Sequence, residues 1–230
     1  MIDIINILCY LSKMFDKNAI LQATQIINVT DSSGQYSWGN GVFISSQHVI
    51  TASHVVSHAH EMWVGHLNLG TSWELVANDE NLDVSIISLP SPLSNAFCSL
   101  AYGMPQKRKW VFDAVKRSPN TRTFLASRAR EKPAVEDTHL PVMTSVSYVG
   151  NGFTEDFFLS LPPFKGLSGS PILNEKGEII SLATHFCEMD DNHLTPGGKV
   201  GSKEMPYRFL GPCPWRFTPW MNRQRETLGF

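Results

Sequence analysis

Short apolar runs separated by Gly, Asn, Asp or Ser recur at about 8 to 12 residues along both halves of this 230-residue chain, the spacing of an all-β barrel or sandwich. From Gln25 to Leu89 they are Ile26–Val29, Val42–Ile44, His48–Thr51, Met62–Val64, Ser72–Ala77 and Val84–Leu89. Further on they are Trp110–Ala114, Thr123–Ala126, Val142–Val149, Phe157–Leu161, Pro171–Leu173 and Ile179–His185. Asn174-Glu175-Lys176-Gly177 between the last two is a hairpin turn signal, with glycine where a left-handed residue is wanted.

The two ends read differently from this strand-rich middle. Ile5, Leu8, Leu11 and Phe15 lie at helical spacing, which predicts an amphipathic helix over the first 20 residues, packed on the outside of the first β unit, with a pro-segment or a surface anchor as the alternatives. It is too short to span a bilayer and carries Asp3 where a signal peptide is basic, so neither a signal peptide nor a transmembrane segment is expected. Thr218-Pro219 reads as an N-cap followed by proline, opening a C-terminal helix that runs to about Leu228. An apolar content of 42% with 17% charge is that of an ordered globular protein. Cys9, Cys98, Cys187 and Cys213 lie far apart with no Cys-x-x-Cys pair, which is neither a zinc pattern nor a dense disulfide framework.

Charge is unevenly spread. Between Lys107 and Lys132 nine basic residues face only Asp113 and Glu131, in a chain whose net charge is −2. Such a stretch attracts anionic partners, and Lys107, Arg108 and Lys109 are the candidates for weak nucleic-acid binding. No aromatic stacking pattern accompanies the charge, so a solvated connecting loop is the preferred reading.

Chemistry concentrates at Gly166-Leu167-Ser168-Gly169-Ser170-Pro171. A serine hydroxyl is a weak nucleophile, so it needs a base for its proton and donors for the oxyanion that attack creates. Glycines on both sides allow a tight turn that aims the Gly166 and Ser168 amides at one spot. Two upstream stretches supply the partners. Thr51-Ala52-Ser53-His54 ends a strand on a histidine flanked by small residues, and Asn81-Leu82-Asp83-Val84 places one carboxylate at the mouth of another. An acid so embedded is costly unless paired, and His54 can hold Asp83 by one ring nitrogen and Ser168 by the other. His54 and His58 also have the spacing of metal ligands on a helix, but no Glu follows His54 and no third ligand is evident, so no metal or other cofactor is expected. The α/β-hydrolase alternative needs the order Ser, acid, His, and Asp190, Asp191 and His193 follow Ser168 too closely.

The order His54, Asp83, Ser168 resembles the chymotrypsin-like serine peptidases, nearest to the disulfide-poor branch of HtrA-type proteases, glutamate-specific endopeptidases and viral polyprotein proteases. The carrying motifs are Gly39-Asn40-Gly41-Val42-Phe43-Ile44, Val49 to Val56, and Gly166 to Ile180, within roughly Gln25 to His185. The resemblance implies an all-β double barrel and fits a short C-terminal helix, to which the apolar spacing adds the N-terminal helix. The expected division is a helical segment 1–22, a first barrel 23–104, a basic connector 105–133 and a second barrel 134–230. It implies catalysis by His54, Asp83 and Ser168, an oxyanion hole of the Gly166 and Ser168 amides, and a polypeptide substrate.

Leu167 replaces the aspartate that receives a new N-terminus in the digestive relatives, so activity should not depend on N-terminal trimming. Pro162 stands where trypsin carries its specificity acid, which disfavours cleavage after Arg or Lys. Ala183 aligns with the histidine of the glutamate- and glutamine-selective branch, with His185 two residues on and on the same strand face, and the pocket is read as taking a medium apolar or polar uncharged side chain. Thr184 stands where the family supports its buried carboxylate. Relatives with disulfides often tie loops here, which leaves a Cys187–Cys213 bridge open. The branch points to a viral-type protease of the host cytoplasm; a silent binding module acting through the basic connector is the alternative.

Overall fold

The computed structural model describes residues 15–101, 124–129, 133–137, 143–149, 152–159, 165–188, 194–195, 198–199, 207–212 and 214–230. The amino-terminal half is one antiparallel sheet. Its strands are β1 (Thr24–Thr30), β2 (Tyr36–Phe43), β3 (His48–Ala52), β4 (Glu61–Val64), β5 (Leu67–Gly70), β6 (Glu74–Asp79) and β7 (Val84–Ser88), in the order β5-β4-β1-β2-β3-β7-β6. β3 and β7 lie inside the sheet and are buried on both faces, which is why their sequences, Val49-Ile50-Thr51-Ala52 and Val84-Ser85-Ile86-Ile87, lack the polar alternation of a half-exposed strand. Ile27, Ile50, Met62, Ile86 and Ile87 are fully buried at the centre of this half.

The carboxyl-terminal half holds two four-stranded sheets. One is β13 (Ile179–Leu182), β12 (Pro171–Leu173), β8 (Phe124–Ser127) and β9 (Ala134–Asp137). The other is β10 (Met143–Val149), β11 (Gly152–Leu159), β17 (Tyr207–Pro212) and β14 (His185–Glu188), and β15 (Leu194–Thr195) pairs with β16 (Gly198–Lys199). β8 falls inside the stretch expected as connector, yet pairs with β12 at Ile172↔Leu125. The Ile179–His185 run is two strands rather than one. The chain leaves the first sheet at Leu182 and joins the second at His185, so period-two alternation does not carry from Ala183 to His185. Asn174 closes the hairpin between β12 and β13 by accepting from the amides of Lys176 and Glu178, and Gly177 takes φ +76°.

Cys98 to Ala101 stitches the halves together. Cys98 N–H donates to Phe43 O, Ile179 N–H to Ser99 O, and Ala101 N–H to Ile179 O. Cys98 is buried and its thiol is pushed up to about 12 by loss of solvent.

Three helices complete the described structure. In α1 (Lys17–Ala23) the Asp16 carboxylate caps the first turn by accepting from Asn18 and Ala19 N–H; the apolar positions before Phe15 lie outside the described residues. α1 does not rest on the first half alone. Phe15 meets Phe124 edge-on at 5.0 Å, and Arg128 Nε donates to Leu21 O. Helical periodicity marks a buried face but not what covers it. α2 (Ser53–Val56) follows β3 directly. α3 (Pro214–Leu228) begins one turn before the predicted start. Pro214 takes the first position, where a missing N–H costs nothing, while Pro219 sits inside the helix, and among the described residues Thr218 Oγ1 has no partner rather than capping.

His48 joins α3 to the first half: its Nδ1 is 2.8 Å from Ser45 Oγ and its ring lies 4.9 Å from that of Phe230. Burial lowers its pKa below the ordinary 6.5. The folded form therefore favours neutral His48, and this stability is full above pH 6.5 and is lost as pH falls through the depressed value. Thermal melts at pH 7.5 and pH 5 should show a smaller drop for His48→Gln than for the wild type; an equal drop would remove His48 from the account.

Candidate active site

Asp83 is set by the turn that follows β6. Asp79 Oδ1 accepts from the amides of Asn81 and Leu82, and the chain then places Asp83 at φ +53°, the one described non-glycine residue in the left-handed region. Aspartate tolerates that region better than most side chains, and the surroundings fix it there. Its carbonyl accepts from Ser53 N–H at 3.1 Å, its Oδ1 accepts from His54 N–H at 2.9 Å, and its Oδ2 lies 2.7 Å from His54 Nδ1. Backbone and ring of one histidine thus grip both carboxylate oxygens.

The other ring nitrogen, His54 Nε2, lies 2.9 Å from Ser168 Oγ. With Nδ1 donating to the carboxylate, Nε2 is left as the acceptor for the serine proton. Both ring nitrogens are engaged, so His54 has none to offer a metal together with His58. The His54 side chain is 48% exposed and that of Asp83 23%, so the imidazole faces a solvent-open side while the carboxylate lies deeper. Ser168 Oγ is also 3.2 Å from Thr184 O. One hydroxyl proton therefore has two acceptors, and the nearer is the imidazole.

The loop carrying Ser168 lies flush against β2. Gly166 and Gly169 adopt φ +85° and +82°. Ser170 N–H donates to Leu167 O, Gly169 N–H to Ala183 O, and Asn40 N–H to Ser168 O. The amides of Gly166 and Ser168 make no backbone hydrogen bond among the described residues. A Cβ at Gly169 would lie 1.8 Å from Asn40 O, one at Gly39 2.7 Å from Ser168 O, and one at Gly166 2.0 Å from the Trp38 ring.

Of the expected site residues, the structure brings His54, Asp83, Ser168 and the Gly166 turn together, with Ala183 and Thr184 at the back of the loop. Pro162, Cys213, the side chains of His185 and Cys187, and Lys107, Arg108 and Lys109 lie outside the described residues. Thr184 is buried, and its carbonyl meets the Ser168 hydroxyl. Sequence reasoning missed Asn40. Its side chain donates to Gly166 O at 2.5 Å and Ser127 Oγ at 3.3 Å and accepts from Arg128 N–H at 2.9 Å. The available signal was a polar residue at the start of an apolar strand run, between two glycines.

The sequence matches the trypsin-like peptidase domain over residues 39–182. The chain belongs to the trypsin-like peptidase family. No curated protein matches its sequence. The trypsin-like peptidase fold is shared with the Rv3671c protease from M. tuberculosis in its active form, with TM-score 0.57, 13% identity, and 85% of this chain aligned to 78% of that one. It is also similar to the HtrA-type protease AlgW bound to a tripeptide, with TM-score 0.56, 16% identity, and 85% of this chain aligned to 57% of that one. A serine protease of a human pathogenic astrovirus aligns with TM-score 0.50 and 15% identity over 87% of this chain and 93% of its own. This trypsin-like peptidase is therefore a serine endopeptidase of chymotrypsin-like double-barrel architecture.

Gly169→Ala and Gly34→Ala compare the same backbone strain with and without a clash, since Gly34 has φ +83° and nothing within 4 Å. Urea denaturation should show a loss of about 1–2 kcal/mol for Gly34→Ala, the left-handed penalty alone. Gly169→Ala should lose clearly more, and equal losses would mean that loop and β2 are not in contact.

Proposed function

We propose that this peptidase hydrolyses peptide bonds through Ser168 as nucleophile, His54 as general base and then acid, and Asp83 as the group that fixes the imidazole. The observation that carries the reading is the unbroken chain from Asp83 Oδ2 through both ring nitrogens of His54 to Ser168 Oγ, at 2.7 and 2.9 Å. His54 Nε2 takes the hydroxyl proton as Oγ attacks the scissile carbonyl carbon. Asp83 stabilises the imidazolium, and the amides of Gly166 and Ser168 receive the oxyanion. His54 then protonates the leaving amine, and an acyl-enzyme remains on Ser168. Water, deprotonated by His54, releases the acid and restores the serine.

The decisive experiment is labelling with a fluorophosphonate probe, beside Ser168→Ala and His54→Ala. The wild type should label at Ser168, Ser168→Ala should not, and His54→Ala should label on the order of a thousandfold more slowly, or less. A folded wild type that stays unlabelled would remove the nucleophile from the proposal.

The finer reading is a viral-type protease that processes a polyprotein in the host cytoplasm. Its support is the few cysteines, the short barrel motifs and a fold shared with the astrovirus enzyme. No described helix is long and apolar enough to cross a membrane. A polyprotein enzyme reads several residues around the cut bond, so profiling on a peptide library should return a narrow consensus without Arg or Lys before the cleavage. Broad cleavage, or cleavage after basic residues, would overturn this finer reading and leave the serine chemistry standing.

A further inference from the structure

We propose that Asn40 is a positioning residue for the oxyanion hole, and that its carboxamide holds the Gly166–Leu167 peptide in the orientation the reaction needs. The proposal rests on the reading of Ser168 as nucleophile. Three consecutive peptide units precede, include and follow the Ser168 amide. The last is held twice, by Asn40 N–H on Ser168 O and by Gly169 N–H on Ala183 O. The middle one is held by Ser170 N–H on Leu167 O. The first has its carbonyl, Gly166 O, held by Asn40 Nδ2 at 2.5 Å. It adjoins Gly166 at φ +85°, and glycine rotates more freely than any other residue. This is where the loop turns most easily, and the Asn40 side chain is what grips it.

The neighbours fix the carboxamide itself. Arg128 N–H donates at 2.9 Å, and only the side-chain oxygen can accept it, so the amino group must face Gly166 O and Ser127 Oγ. Asn40 is fully buried and has no alternative partner in water. Leu167, also fully buried, is apolar and brings no charge that could anchor the loop from within. The anchor therefore comes from β2, in the other half of the molecule. Arg128 extends the chain, because its Nε donates to Leu21 O at the end of α1.

The test separates positioning from simple structural support. Asn40→Ala should lower kcat and the rate of fluorophosphonate labelling by about 10- to 100-fold, somewhat less than outright loss of an oxyanion donor. KM for a peptide substrate should stay within about twofold, because ground-state contacts are unchanged. Affinity for a peptide boronate, whose tetrahedral adduct places an oxygen in the hole, should fall in step with kcat. Wild-type kcat and boronate affinity in a folded Asn40→Ala, or a change confined to KM, would overturn the proposal. Should Asn40→Ala fail to fold, the same measurements on Asn40→Ser apply: its hydroxyl is too short to reach Gly166 O, the same loss of kcat is expected, and wild-type kcat would overturn the proposal. A wild type that does not label at Ser168 would overturn the nucleophile reading and this proposal with it. A wild type that labels beside an Asn40→Ala that labels equally fast would overturn the role of Asn40 alone.

Discussion

Asn40 N–H donates to Ser168 O at 2.6 Å across the seam between the two halves of the molecule, and the site's geometry depends on that contact. Of the three side chains in the hydrogen-bonded chain, His54 and Asp83 come from the first half and Ser168 from a loop of the second. The 2.9 Å hydrogen bond between His54 Nε2 and Ser168 Oγ tolerates little slippage between such bodies, so the halves must be registered to a few tenths of an ångström. Glycine makes the registration achievable. At Gly39 and Gly169 a side chain would occupy the space where the opposite backbone lies, and only bare Cα atoms let strand and loop come so close.

A second constraint acts inside the first half. Asp83 sits in a left-handed conformation that its residue type accepts but does not prefer, and three hydrogen bonds from the β3–α2 junction, one to its carbonyl and two to its carboxylate, hold it there. Because α2 follows β3 without a loop, the same few residues fix both histidine and aspartate. The pair is thereby set before any substrate arrives. The serine loop, with its two glycines at positive φ, takes partners from outside it, Asn40 and Ala183.

The three residues that the candidate site brings together were legible in the sequence because their types are rare in such settings: a histidine among small residues at a strand end, a lone carboxylate before a buried strand, a serine between glycines. Most strands of the first half were legible from their apolar runs, but β5, with Leu67 and Asn68 exposed, was not, since an edge strand needs no apolar run. β9 and β17 escaped for the related reason that neither carries a long apolar stretch. The break between β13 and β14 was hidden because Ala183-Thr184 interrupts neither hydropathy nor β propensity. Asn40 was missed because its local signal, a polar residue between two glycines, does not say which backbone 126 positions away it holds. The expected start of α3 failed where two prolines competed and only packing could choose between them.

α1 has a consequence for how the chain reaches this state. Its last turn is tied to Arg128, 107 residues downstream, and His54 waits for Ser168, 114 residues downstream. Contacts of such separation form late, because the entropy of closing long loops must be met before they contribute. During synthesis the seven strands of the first half leave the ribosome before β8 exists, so they can pair while the N-terminal helix still lacks its second seat. The emerging chain can join His54 to Asp83 early, while the ring's second nitrogen has no Ser168 hydroxyl to meet until the later strands have been made.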